Sequence, residues 1–314
     1  TNQTYFILQG FSCLTTLQDF LFRVILLMFL ITMAGNLLII ITATTNHTLH
    51  TPMYYFLQNL AVIEICFTLN IVPRMLVDLW ERKVISFSAC ALQFYFVLSF
   101  ITSECFLLGA MAYDRYVAVY HPLHYAKRMN SRVCLHMVVA CWVAGISPSL
   151  GLTAWLFSYP FCGPRDIEHF FCDISPVLVL VCSNTHLFRY FLFIAAVLII
   201  LIPFILIVAS YIQIIHTIVQ MPSAERRLKA FLTCLAHLVV VTLFYCTAGL
   251  MHLKPRCGLL VHSRKLMALS YTVVTPMLNP IIYSLHNGEM KRALRKVLGR
   301  GQLFSKMSPS LQVH

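Results

Sequence analysis

Two carboxylates stand in apolar surroundings. Glu64 lies in Ala61-Val62-Ile63-Glu64-Ile65-Cys66, and Glu104 lies in Ile101-Thr102-Ser103-Glu104-Cys105-Phe106-Leu107. Burying an ionised side chain in such a run is costly, so each marks a candidate functional position. At similar depth the two would repel if both were charged. A shared proton, a bound cation such as Na+, or amide donors such as Asn36 and Asn279 would relieve this. A bound Na+ and two independently protonated glutamates are both open from the residues alone. Asp114-Arg115-Tyr116 sets an acid beside a base at the polar end of another apolar run. Such a pair can hold a charged side chain in one rotamer until a partner competes for it; the plain alternative is an interface pair with its heads in water. In Asn279-Pro280-Ile281-Ile282-Tyr283 the proline removes a backbone donor and loosens a helix, which makes a plausible bistable element. No nucleophile–base pair and no H-E-x-x-H pattern stands at usable spacing, so enzymatic chemistry has no machinery here.

The elements that position these residues follow from composition. The chain has 314 residues, 59% hydrophobic and only 11% charged. Its mean hydropathy is +0.79. A soluble domain carries roughly 25% charged residues, and disorder needs low hydrophobicity. Lipid is therefore the main solvent. The long continuous apolar runs are helical spans rather than the short alternating segments of a β-barrel. Seven can be read, near residues 23–45, 53–77, 90–117, 133–157, 187–216, 229–253 and 263–285. Pro73-Arg74 interrupts the second. The expectation is an all-α membrane protein: one seven-transmembrane helix bundle over 1–314, with a tail at 1–22, the bundle at 23–286 and a further helix and tail at 287–314.

Lys and Arg placement orients the bundle. The tail 1–22 has none, whereas Lys291, Arg292, Arg295, Lys296, Arg300 and Lys306 follow the last span. The N-terminus is expected outside, which makes Asn2-Gln3-Thr4 a usable glycosylation sequon. The net charge of +12 fits a cytoplasmic face against anionic lipid, since no soluble basic domain exists to bind nucleic acid. Of the 12 cysteines, Cys90, Cys162, Cys172 and Cys182 fall on the outer side. An even set outside the cell suggests two disulfides in one of three pairings. Only Cys90 lies outside the loop 158–186, so one bridge should tie the third helix to that loop. Close CxxC pairs are lacking, which speaks against a metal.

Several motifs together carry a resemblance. Gly35-Asn36, Trp142, Asp114-Arg115-Tyr116 and the Asn-Pro-x-x-Tyr of the seventh span resemble those of rhodopsin-like G-protein-coupled receptors. Pro52-Met53-Tyr54-Tyr55-Phe56-Leu57, Met111-Ala112-Tyr113-Asp114-Arg115-Tyr116-Val117-Ala118, His121-Pro122-Leu123-His124-Tyr125, Ser210-Tyr211, Lys229-Ala230-Phe231 and Pro276-Met277-Leu278-Asn279-Pro280 narrow it to the olfactory (odorant) receptors, over nearly the whole chain. The chain departs from the usual family pattern at Glu64 (usually Asp), Tyr120 (Cys), Leu232 and Ala236 (Ser) and His286 (Arg).

That resemblance implies an odorant receptor of the plasma membrane, N-terminus outside. Its ligands would be small and mostly apolar, and a stimulatory, olfactory-type heterotrimeric G protein would raise cAMP. No cofactor is required beyond a possible Na+ at Glu64 and Glu104. It implies the bridges Cys90–Cys172 and Cys162–Cys182, and a switch made of Asp114, Arg115, Tyr116, Tyr211, Asn279, Pro280 and Tyr283. An amphipathic helix is implied at 287–298, with Leu294 and Val297 on its apolar side. The implied pocket holds Val97, Leu98, Ile101, Thr102 and Cys105 on the third span and Ala195 and Ile199 on the fifth. The sixth adds Tyr245, Ala248, Gly249 and His252, and the seventh Leu269 and Thr272. Three- and four-residue spacing sets Leu98, Ile101, Thr102 and Cys105 on one helical face; plain helix packing is the alternative for each. Arg256 is either a ligand partner or a solvated loop charge. A proton or ion transporter built on the two glutamates would need a polar pathway across both leaflets, and the spans hold few other polar residues.

Overall fold

A computed structural model describes residues 4–10, 17–80, 84–252, 261–286 and 290–293. Its long helices run up and down, as they must where no water can satisfy an open backbone. They are α1 (Gln18–Thr45), α2 (Pro52–Asp78) and α3 (Phe87–Tyr120). After the short α4 (Tyr125–Arg128) comes α5 (Ser131–Phe157). The one-and-a-half-turn α6 (Ile174–Val179) lies in a loop before α7 (His186–Val219) and α8 (Ala224–His252). The last crossing is α9 (Val261–Leu269), a π turn at Ser270–Val274, and α10 (Thr275–His286). Seven of these crossings are long and apolar enough to span a bilayer.

Local chemistry sets the helix starts. Ser86 Oγ accepts from Ala89 N at 3.2 Å to cap α3, and Asn130 Oδ1 accepts from Val133 N at 3.0 Å to cap α5. Pro52 opens α2 at its first turn, where a missing N–H is harmless. Pro73 does not break α2, which continues to Asp78. A break at that depth would strand backbone groups in hydrocarbon, so the helix tolerates one lost bond instead. α1 starts at Gln18, inside the expected tail 1–22. Residues 290–293 are helical, with Met290 and Ala293 inward and Lys291 and Arg292 outward; Leu294 and Val297 lie outside the described residues.

The bundle is polar inside and apolar outside at many positions, the reverse of a soluble protein. Thr32, Asn36, Glu64, Thr68, Ser103, Asp114, His237 and Asn279 are all buried. Along α7, Phe193, Ile205, Ile212 and Val219 are exposed. Lipid tails solvate that outward face, so packing comes from close fit rather than from water exclusion. At Gly35 on α1, an added Cβ would come within 3.0 Å of the Pro280 ring on α10.

Beyond the helices, the chain forms strands that no sequence alternation marks. A three-stranded sheet sits at the end of the bundle where α1 begins. Its strands are β1 (Tyr5–Leu8), β2 (Val84–Ser86) and β3 (Asp166–Ile167), in the order β2-β1-β3. β1 is antiparallel to β2, with Tyr5 opposite Ser86, and parallel to β3, with Leu8 opposite Ile167. Phe6, Leu8, Ile85 and Ile167 turn inward onto Cys90, Phe94 and Phe161. Cys90 is bonded to Cys172 and Cys162 to Cys182.

Candidate functional site

Toward the end opposite the sheet, the last two turns of α3 carry Asp114, which is 0% exposed, and Arg115. Arg115 Nη2 donates to Asp114 Oδ2 at 3.2 Å. The Tyr125 hydroxyl, on the short α4, donates to Asp114 Oδ1 at 2.8 Å. Burial, then the neighbouring Asp114 carboxylate, pushes the Tyr125 phenol well above its usual range. It therefore stays a neutral donor at any physiological pH. Asp114 thus holds a cation and a loop helix together.

Tyr211 hydrogen-bonds neither Arg115 nor Tyr283 in this packing. Its hydroxyl donates to the Cys234 carbonyl oxygen at 3.2 Å and lies 2.7 Å from His237 Nδ1, tying α7 to α8. Tyr283 is buried, and its hydroxyl has no hydrogen-bond partner among the described residues. Tyr116 instead stacks on Tyr120, ring centres 5.3 Å apart. His237 and Tyr125 were missed as partners by sequence reasoning; a histidine in the middle of the sixth apolar run was the available signal. Beside the switch, Leu123 is 94% exposed, an apolar side chain bared at the polar end of the bundle.

Midway along the bundle, Asn279 Nδ2 donates to Glu64 Oε1. Asn36 stands beside Glu64 as a second amide donor and also donates to the Thr32 carbonyl oxygen at 3.1 Å. Pro280 follows Asn279 and meets α1 at Gly35. Glu104 lies close enough for its charge to act on Glu64. Glu64 Oε2 and Asn279 Oδ1 are buried oxygens without hydrogen-bond partners among the described residues. Two orphaned acceptors beside two carboxyl groups suit a hard monovalent cation or a proton. No group of three or more His, Cys, Asp or Glu that could hold a metal ion occurs among the described residues.

Nearer the sheet, the pocket candidates divide. Cys105 Sγ donates to the Ile199 carbonyl oxygen at 3.2 Å and lies 3.2 Å from the Tyr245 hydroxyl, so α3, α7 and α8 meet there. Thr102, one turn away on the same face of α3, is buried, and Ala195 is half-buried on α7. Val97 belongs to an apolar cluster with Phe170 and Phe171 of the loop, flanked by Ile101 and Leu269. Thr272 is buried and donates to the Ala268 carbonyl oxygen at 2.7 Å. Leu98 packs into the cluster under the sheet. It shares a helical face with Thr102, but its depth places it against the loop. Ala248, Gly249 and His252 lie on α8, and their side chains lie outside the described residues, as do Arg256 and Asn2.

The sequence profile of the olfactory receptor family matches residues 25–300. The chain belongs to the olfactory receptor family. Human olfactory receptor 10A3 is 49% identical over 296 residues, 94% of each chain. Human olfactory receptor 10A7 is 49% identical over 299 residues, 95% of each. Human olfactory receptor 10A4 is 50% identical over 297 residues, again 94% of each. An olfactory receptor is a receptor and not an enzyme, of the rhodopsin-like class of G-protein-coupled receptors. For a member of this family, seven crossings make a multi-pass membrane protein. Among the departures from the usual pattern, Ala236 is buried in the core and Leu232 faces outward.

Proposed function

We propose that this olfactory receptor sits in the plasma membrane with its sheet end outside, and relays odorant binding to a stimulatory, olfactory-type G protein that raises cAMP. The whole chain 1–314 acts as a single seven-transmembrane domain. Asn2 then faces the glycosylating compartment. The ligand site is the α3–α7–α8 meeting point under the loop, lined by the pocket residues named above. Val97 is uncharged, which leaves a biogenic amine without a carboxylate partner at that position. An odorant that fits the active packing better than the resting one shifts the population between them. The coupling is reciprocal, so the bound G protein raises odorant affinity.

The observation that carries this reading is the occupied latch at the opposite end. Arg115 is held by Asp114, Asp114 by Tyr125, and Tyr211 by His237. The Tyr125 bond ties α4 to α3 and the Tyr211 bond ties α7 to α8, contacts that must yield for a cavity to open between α3, α7 and α8, while Asp114 holds Arg115 beside it on α3. Freed Arg115 and bared Leu123 then supply a charged and an apolar contact to a protein partner. Arg115→Ala should abolish odorant-evoked cAMP while surface labelling stays near wild type. Retained signalling at normal surface density would refute the switch.

An Na+ ion at this site would be held by Glu64, Glu104 and Asn279, a reading supported by the unpartnered Glu64 Oε2 and Asn279 Oδ1. The ion would supply charge neutralisation of the carboxylates there. A proton does the same. Replacing Na+ outside the cell by N-methylglucamine separates the two: with Na+ in the site, agonist potency changes severalfold, and with a proton it does not.

A further inference from the structure

The polar groups at the α3–α7–α8 meeting point constrain the ligand beyond size and apolarity. Cys105 has one S–H hydrogen. The Ile199 carbonyl can only accept, so that hydrogen goes to it, at 3.2 Å. The sulfur then offers only lone pairs, and the Tyr245 O–H must be the donor of the second 3.2 Å contact. A thiol sulfur is a weak acceptor. The one phenol of this site therefore spends its hydrogen on a poor partner. Thr102 is buried one turn from Cys105 on α3, and its hydroxyl makes no hydrogen bond among the described residues. Around them Ile101, Ala195 and Ile199 are aliphatic, and Phe204 packs on the Tyr245 ring, centroids 5.3 Å apart.

Resting on the reading of this site as the odorant pocket, we propose that the ligand is a neutral apolar compound bearing one carbonyl oxygen, an aldehyde, ketone or ester, which takes the Tyr245 O–H from the Cys105 sulfur. The exchange replaces O–H···S by O–H···O=C and leaves no group unpaired, because the thiol keeps its bond to Ile199. A carbonyl oxygen needs only the donor that Tyr245 supplies and brings no hydrogen of its own. A carboxylate would be buried without a counter-ion and near Glu104, whose charge acts on Cys105. An ammonium is itself only a donor and cannot take the Tyr245 hydrogen. An alkane leaves the exchange unmade.

The test uses the full chain in cells with a cAMP reporter and surface labelling. The panel holds straight-chain alkanes, aldehydes, methyl ketones, ethyl esters, carboxylic acids and primary amines of matched lengths. Agonists should come from the aldehydes, ketones and esters alone. Tyr245→Phe should raise their half-maximal concentration about tenfold, the size of one hydrogen bond to a neutral partner. Cys105→Ala removes the competing acceptor and should lower it, and Cys105→Ser installs a stronger competitor and should raise it. Misfolding reduces the maximal response and does not sharpen potency, so the Cys105→Ala gain stands apart from a folding defect. Activation by acids, amines or alkanes overturns the proposal. So does a panel with no active carbonyl compound, or an unshifted Tyr245→Phe at normal surface density. The relay reading is judged separately, by ligand-free cAMP in wild type against Arg115→Ala.

Discussion

Gly145→Val should remove the receptor from the cell surface. Gly145 lies on α5 where that helix crosses α3. An added Cβ would stand 2.1 Å from Ser103 Oγ, 2.5 Å from the Ser99 carbonyl oxygen and 3.0 Å from Ser103 N. The hydroxyl can rotate away; the backbone oxygen and nitrogen cannot. Relief requires moving one whole helix off the other. In lipid, close approach at small residues is itself the driving force for helix association, so separation forfeits the contact along the crossing. Overpacking alone costs about 1–3 kcal/mol, and the lost crossing adds to it. The same change at Gly151, a turn and a half further along α5, is the control. Gly151 has nothing within 4 Å of an added Cβ and faces outward. Surface immunolabelling and the melting temperature in detergent should show Gly145→Val more than tenfold depleted and Gly151→Val near wild type. Equal behaviour of the two would mean that the α3–α5 crossing tolerates a wider spacing.

That crossing shows why parts of the molecule were legible in the sequence and parts were not. Bilayer thickness imposes one length on every apolar run, so the seven spans could be read from composition with ends displaced by a few residues. Buried charge is costly enough in lipid that Glu64, Glu104 and Asp114 announced themselves. Partners were harder. Tyr211 and His237 are 26 residues apart on two helices, and no periodicity links them. The sheet unites segments drawn from three distant stretches, none longer than 4 residues, too short for alternation to speak. The π turn at Ser270–Val274 leaves no pattern either; Thr275 Oγ1 donates to the Ser270 carbonyl oxygen at 3.1 Å across that wider turn. In the pocket, spacing gave the angle of Leu98 around α3 but not its depth, and depth decided its neighbours.

Loss of the α3–loop bridge should be the second severe change. Cys172→Ser opens a link between residues 82 apart in sequence, whereas Cys162→Ser opens one between residues 20 apart. Loop-closure entropy assigns the longer link about 4–5 kcal/mol and the shorter about 3 kcal/mol. Hydrogen bonds around the longer link widen the gap. Gln93 Oε1 accepts from Cys172 N at 3.0 Å, Gln93 Nε2 donates to the Asn70 carbonyl oxygen at 3.0 Å, and Asn70 Nδ2 donates to the Gln93 carbonyl oxygen at 3.1 Å. This amide pair joins α2, α3 and the loop at one point. It keeps its α2–α3 half if the bridge breaks but loses its hold on Cys172 once the loop drifts. Phe170 and Phe171, which seal the cluster above Val97, ride on that same loop. Thermal unfolding of the purified receptor should therefore rank wild type above Cys162→Ser and Cys162→Ser above Cys172→Ser. Odorant potency should fall chiefly in Cys172→Ser. A reversed order would mean that the loop is held by the sheet and its apolar underside, with the bridge to α3 secondary.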